Sequence, residues 1–178
     1  MTWNSHRNRG EILRAVIAAA DARVDGLLPL DVEGATSAFH DELDLLGALQ
    51  LRWHTRLSGR IERELVHQPM ALEDAVVAAW RGTADEMPGV RAVLDHYRAE
   101  PRDEVMAAAL RKASAKEHHL LAVMAGQAGT HATAAAARAG ARIEARARAG
   151  WRPGASLEPA VAHRSAGLLG RLRAALAA

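Results

Sequence analysis

A glutamate and a histidine three residues apart on a helix share one face, a spacing at which a carboxylate and an imidazole can hold one metal ion. The sequence has one such pair, Glu64 and His67 in Glu64-Leu65-Val66-His67. His54 and the run Glu117-His118-His119 offer further ligand types, as do His40 and Glu42. Adjacent helical residues point about 100° apart, so Glu117 and His118 do not reproduce the Glu64/His67 geometry. The competing expectation is that Glu64 and Glu117 are semi-buried acids paired with arginines such as Arg56, Arg60 or Arg111. Cysteine is absent, which excludes disulfides, thiolate metal sites and cysteine nucleophiles.

The Glu64/His67 pair resembles half of the ligand set of ferritin-like di-iron bundles, which use two such pairs and a glutamate from each of two further helices. That resemblance implies iron, manganese or zinc at a site drawn from His54, Glu64, His67, Glu117 and His118. The second pair is missing from this chain. A second spacing, Arg-x6-His, occurs as Arg60 to His67 and Arg111 to His118, and Arg91 to His96 fits a looser form. In that feature only, the sequence resembles the HEPN ribonucleases, helical domains with an Arg-x4-6-His motif. With so many arginines, about three matches arise by chance, and three are found. There is no Gly-rich phosphate loop, Walker-type Lys-Ser/Thr or G-x-S-x-G elbow. No catalytic residue and no cofactor is predicted from motifs.

The elements that must position these residues are helices. Aromatic residues make up 3% of the chain, and alanine and leucine dominate its apolar content, a composition that favours helix over strand. The spacing predicts a first helix over 9–24, stopped by Asp25-Gly26, and a long second helix over 36–67, ended by Pro69. Leu43, Leu46, Gln50, Trp53, Leu57, Ile61 and Glu64 form its stripe. A third helix over 72–81 and a short one opening at Pro88 follow. Pro101 opens a fourth main helix, with Met106, Leu110, Ala113, Glu117, Leu121 and Met124 on one face. The expected fold is an all-α, up-and-down bundle of four main helices over 1–129. An Ala/Arg-rich helix follows over 130–150, capped by Thr130, which either lies against the bundle by close alanine contact or projects. Residues 151–178 read as a Pro/Gly linker and a short C-terminal amphipathic helix.

Charge divides along the chain. From Ala134 onward there are eight arginines against Glu144 and Glu158, a net of +6, leaving −4 for the rest of a chain of net +2. Arg138, Arg142 and Arg146 form a stripe at four-residue steps, a candidate phosphate-contacting ridge for a nucleic acid. Glu144 is placed to pair with Arg148 one turn on. In the terminal segment Leu168, Leu169, Leu172 and Leu176 share one side, flanked by Arg171 and Arg173. Those are the anchors of a helix-in-groove peptide, and the segment resembles in form the tethered docking peptides of cargo proteins on bacterial shells. The leading expectation is a non-enzymatic interaction or adaptor protein using this tail to engage a protein partner or a second copy of itself. The alternatives are a metal-binding bundle and a nucleic-acid-binding protein. The first residues lack a signal-peptide pattern and the longest apolar run is too short to span a bilayer, so a cytoplasmic, soluble protein is expected.

Overall fold

Three short polar side chains set where three of the helices begin. Asp41 accepts a hydrogen bond from the Asp44 amide at 2.7 Å, Asp103 from the Met106 amide at 2.7 Å, and Thr133 from the Ala136 amide at 3.1 Å. Each satisfies an amide that the first helical turn leaves without a partner. The computed structural model describes residues 3–131 and 133–152, with side chains from Asn8 onward. Seven helices pack together within them: α1 (Trp3–Arg23), α2 (Ala35–Ala38), α3 (Glu42–His67), α4 (Leu72–Glu86), α5 (Pro88–Ala99), α6 (Glu104–Met124) and α7 (Ala134–Arg148). No strand occurs among the described residues, so the chain is an all-α, bundle-like protein. The expected terminal amphipathic helix and most of its linker lie outside the described residues.

The predicted helix over 36–67 is two helices. Phe39 adopts an extended backbone, with φ −118° and ψ 133°, and its ring is buried. Arg9 from α1 closes the break. Its guanidinium lies 4.4 Å from the Phe39 ring centroid, donates to the Ala38 carbonyl at 2.9 Å and meets Asp44 at 2.8 Å. Tertiary contact thus overrides a local pattern that reads as continuous helix. Pro101 does not open α6 either; Asp103 caps it two residues later, as Thr133 rather than Thr130 caps α7. Helix α4 continues through Gly82 to Glu86, and α1 begins at Trp3. Gly82 passes under the Arg60 guanidinium, which a β-carbon there would meet at 2.3 Å.

The core runs through every helix but is concentrated on α3, where Leu45, Leu46, Leu49, Trp53, Leu57 and Ile61 are buried. Of the expected stripe, Leu43, Gln50 and Glu64 are only partly covered. The principal neighbours are α6 with α7, α3 with α4 and α1 with α5. Two of these contacts need glycine. A β-carbon on Gly89 would fall 1.9 Å from the Ala20 carbonyl oxygen, and one on Gly140 would fall 1.9 Å from that of His118. Asp21 reinforces the first, accepting from the Gly89 and Val90 amides at 2.8 and 3.2 Å to cap α5 from α1.

Helix α7 therefore lies against the bundle by close contact of small residues. It buries Ala136, Ala139, Gly140, Ile143, Glu144 and Ala147. Because Gly140 meets backbone rather than a flexible side chain, Gly140→Ala should lower stability by about 1–3 kcal/mol. Thermal unfolding followed by circular dichroism should show a Tm drop of roughly 3–10 °C. An unchanged Tm would mean that α7 is not seated on α6.

Candidate functional site

The polar centre of the molecule is a charge cluster whose central pair is sealed between α3, α4, α5 and α6 and whose outer members include residues of α7. Arg91 of α5 and Glu117 of α6 are both 0% exposed. The Arg91 guanidinium lies 4.7 Å from the Trp53 ring centroid, and its Nη2 is 2.8 Å from Asp95 Oδ1 one turn along. Its Nη1 is 3.7 Å from Glu117 Oε1. None of these nitrogens has the alignment of a hydrogen bond, so Arg91 is held by charge and by the aromatic face. Glu117 Oε1 accepts instead from Trp80 Nε1 at 3.2 Å.

A second layer surrounds this pair. Arg98 reaches Glu117 at 3.9 Å and donates to Glu144 at 3.1 Å. Arg148 donates two hydrogen bonds to Asp95, at 2.8 and 2.7 Å, and two to Glu144 Oε1, at 2.9 and 2.7 Å. Its guanidinium sits 4.9 Å from the Trp80 ring centroid. His118 Nε2 lies 2.6 Å from Glu144 Oε2. Arg91, Arg98 and Arg148 oppose Asp95, Glu117 and Glu144, three cations against three carboxylates.

Burial alone would raise the carboxyls of Glu144 and Asp95. In Glu144 the His118 contact with Arg98 and Arg148 outweighs burial, and in Asp95 Arg91 and Arg148 do so; both groups stay well below the usual carboxylate range. Burial pushes Arg91 the other way, below the ordinary arginine value, against the pull of Glu117 and Asp95.

Sealed from solvent, Arg91 and Glu117 cannot meet a substrate; their geometry is that of a clamp joining four helices. Its outer members do reach a surface. Arg98, Arg111, Ser114 and His118 line a cleft of about 560 Å³. There His118 and Arg98 are held by Glu144, and Arg111 by Glu104 at 2.6 Å.

The residues singled out for a metal are dispersed. Glu117 faces arginines inside the clamp, and His118 faces Glu144. Glu64 lies 3.9 Å from Arg60, as the ion-pair expectation has it, and His67 is exposed at the end of α3. His54 borders a groove between α3 and α6. Among the described residues no group of three His, Asp or Glu is placed to hold a metal ion. The Arg-x6-His pairs fare similarly: Arg60 faces Glu64 and Glu86, while His96 lies edge-on to Tyr97.

The arginine ridge of α7 is broken by its own partners. Arg146 donates to Glu73 at 2.8 Å and to Asp74 at 2.5 Å, while Arg138 and Arg142 remain exposed. The expected Glu144–Arg148 pair is present, though as part of the clamp rather than on a solvated face. Leu168, Leu169, Arg171, Leu172, Arg173 and Leu176 lie outside the described residues. The chain approaches that segment from a fixed point. Trp151 stacks edge-on against Trp80, with centroids 5.4 Å apart, and donates from Nε1 to Asp85 at 2.9 Å.

Compared with protein-family models, curated proteins and solved structures, the chain matches none of them.

Removing one member of the central pair leaves the other buried and unpaired, so Arg91→Met and Glu117→Gln should each lower stability, Arg91→Met by about 3–5 kcal/mol. The double variant should be more stable than the Arg91→Met single, and chemical denaturation of all three checks this. Simple additivity would refute the pairing. Depressed folded-state carboxyls contribute stability that is present above their unfolded values, about 4, and lost as pH falls through the folded ones. Thermal melts should therefore show Tm falling steadily below about pH 4, and Glu144→Gln should flatten that fall.

Proposed function

We propose that this chain is a non-enzymatic helical interaction protein whose C-terminal segment engages a protein partner or a second copy of the chain. The observation carrying this reading is the anchorage of Trp151. Fixed between Trp80 and Asp85, it ties the following segment to a rigid body. That segment bears leucines at 168, 169, 172 and 176, the spacing of groove-docking anchors. Tethering such a peptide to a folded platform raises its effective concentration toward a nearby receptor.

Two features of the bundle agree with a platform role. The clamp is closed and charge-balanced, which suits rigidity. Arg146 and Arg148 are paired with carboxylates of α4, α5 and α7, which weakens a phosphate-tracking role for that helix. Among the described residues no helix is long and apolar enough to cross a membrane.

Because Trp151 belongs to the core, a truncation should begin at Pro153. The sharper variant replaces Leu168, Leu172 and Leu176 with Glu in the full chain. The bundle's Tm should stay within about 2 °C of the parent. Molar mass by light scattering across a concentration series should drop if the segment binds a second copy. Recovery of partner proteins by affinity capture should be lost if it binds another chain. A variant identical to the parent in both assays would overturn the proposal.

A further inference from the structure

The outer face of α3 borders two grooves that lie apart from the charge clamp. Two grooves adjoin there. One, of about 890 Å³, runs between α1 and α3, with Leu13, Leu43, Ala48 and Leu51 among its walls. The other, of about 410 Å³, runs between α3 and α6, with Leu51, Ala109 and Ala113 among its walls. Gly47 and Leu51, one helical turn apart, border both. Leu51 is 67% exposed. Gly47 has open space where a β-carbon would stand, so the ridge between the grooves dips to a saddle.

Charge at this surface has one dominant sign. Arg52 borders the first groove, and Lys112 and Lys116 border the second; none has a carboxylate partner among the described residues. These are the only two lysines in the chain. The acids present, Asp41 and Asp44, are engaged: Asp41 caps α3 and Asp44 is paired with Arg9. An apolar saddle with a free cationic rim fits an apolar ridge with acidic flanks. The chain's own terminal segment is the wrong occupant, since Arg164, Arg171 and Arg173 stand there against Glu158 alone. Like charges across an interface disfavour it.

We propose that this saddle binds an amphipathic helix of a partner protein, with leucine-type anchors over Gly47 and Leu51 and glutamates or aspartates facing Arg52, Lys112 and Lys116. The mode is helix-in-groove, with the apolar anchors supplying affinity and the charges supplying selection. The apolar floor favours a peptide over a nucleic acid, for which stacking platforms or a phosphate-tracking groove would be needed.

The test uses the full chain and a fluorescein-labelled helical peptide of about 18 residues, roughly five turns. Its leucines sit at i, i+3, i+4 and i+7 and its flanks carry glutamate; a control carries lysine at the same flanks. Anisotropy should show the glutamate peptide binding at least about tenfold more tightly than the control, with the preference shrinking as salt rises from about 50 to 300 mM. Lys112→Glu with Lys116→Glu should reverse the preference. Gly47→Gln should weaken binding while raising Tm, because a better helix former enters open space; loss of binding by that variant cannot then be loss of fold. Removal of residues 153–178 should leave affinity unchanged. Equal binding of the two peptides, or none, would overturn the proposal, as would tighter binding after removal of the tail. Displacement of the peptide by single-stranded RNA or by vesicles of phosphatidylserine would assign the surface to a polyanion and overturn it as well.

Discussion

A guanidinium shut away from water must be matched by charge close at hand, and in this protein that requirement falls on Arg91. An uncompensated ion in the interior carries a penalty of several kcal/mol, which only near, well-placed opposite charge can offset. Asp95 supplies one such charge from the same helix, and Glu117 supplies another from α6. Trp53 of α3 covers the cationic face, and Trp80 of α4 donates to the carboxylate that Arg91 faces. One side chain thereby makes four helices interdependent. A hydrophobic core tolerates sliding of one helix past another by small repacking, whereas this cluster has few arrangements that leave no ion stranded. That is the sense in which an ionic centre can add specificity without adding much net stability.

Helix α7 depends on the same constraint from the outside. Glu144 and Arg148 complete the charge balance, and Gly140 brings the α7 backbone onto the α6 backbone at His118. Alanine side chains bury little area each, yet a short interhelical distance lets many atoms meet, and dispersion sums over them. The aromatic ladder Trp53–Trp80–Trp151, with centroids 5.8 and 5.4 Å apart, extends the centre to the point where the chain leaves the bundle.

The helical class and most helix positions were legible because alanine content, proline placement and three-to-four spacing all point one way. The break at Phe39 was not, since it depends on Arg9 from another helix and leaves the local pattern intact. Arg91 and Asp95 are one turn apart, a spacing that also marks ordinary solvated pairs. Only Trp53 and Glu117, remote in sequence, account for the burial of Arg91. Helix α7 looked poorly supplied with apolar bulk because the gain from close approach at Gly140 is invisible in residue hydrophobicity. Glu64 and His67 stand one turn apart on α3, but Arg60 of that same helix faces Glu64 and α5 brings Arg91 and Arg98 to Glu117, so neither glutamate meets a second ligand pair.

The charge asymmetry of the chain takes on a different meaning once partners are assigned. Read along the sequence, an acidic body and a basic C-terminal quarter suggest attraction toward something external. In space, Arg146 and Arg148 answer Glu73, Asp74 and Asp95, carboxylates of that same acidic body. Part of the asymmetry is therefore the record of an internal interface between α7 and its neighbours. The outward-facing cations that remain free, among the described residues, are those that lack a carboxylate within reach, and Lys112, Lys116 and Arg52 share one face with an uncovered leucine. Unmatched charge beside unmatched apolar surface is a better guide to a partner than net charge, because each disfavours the other's exposure and a single amphipathic ligand relieves both.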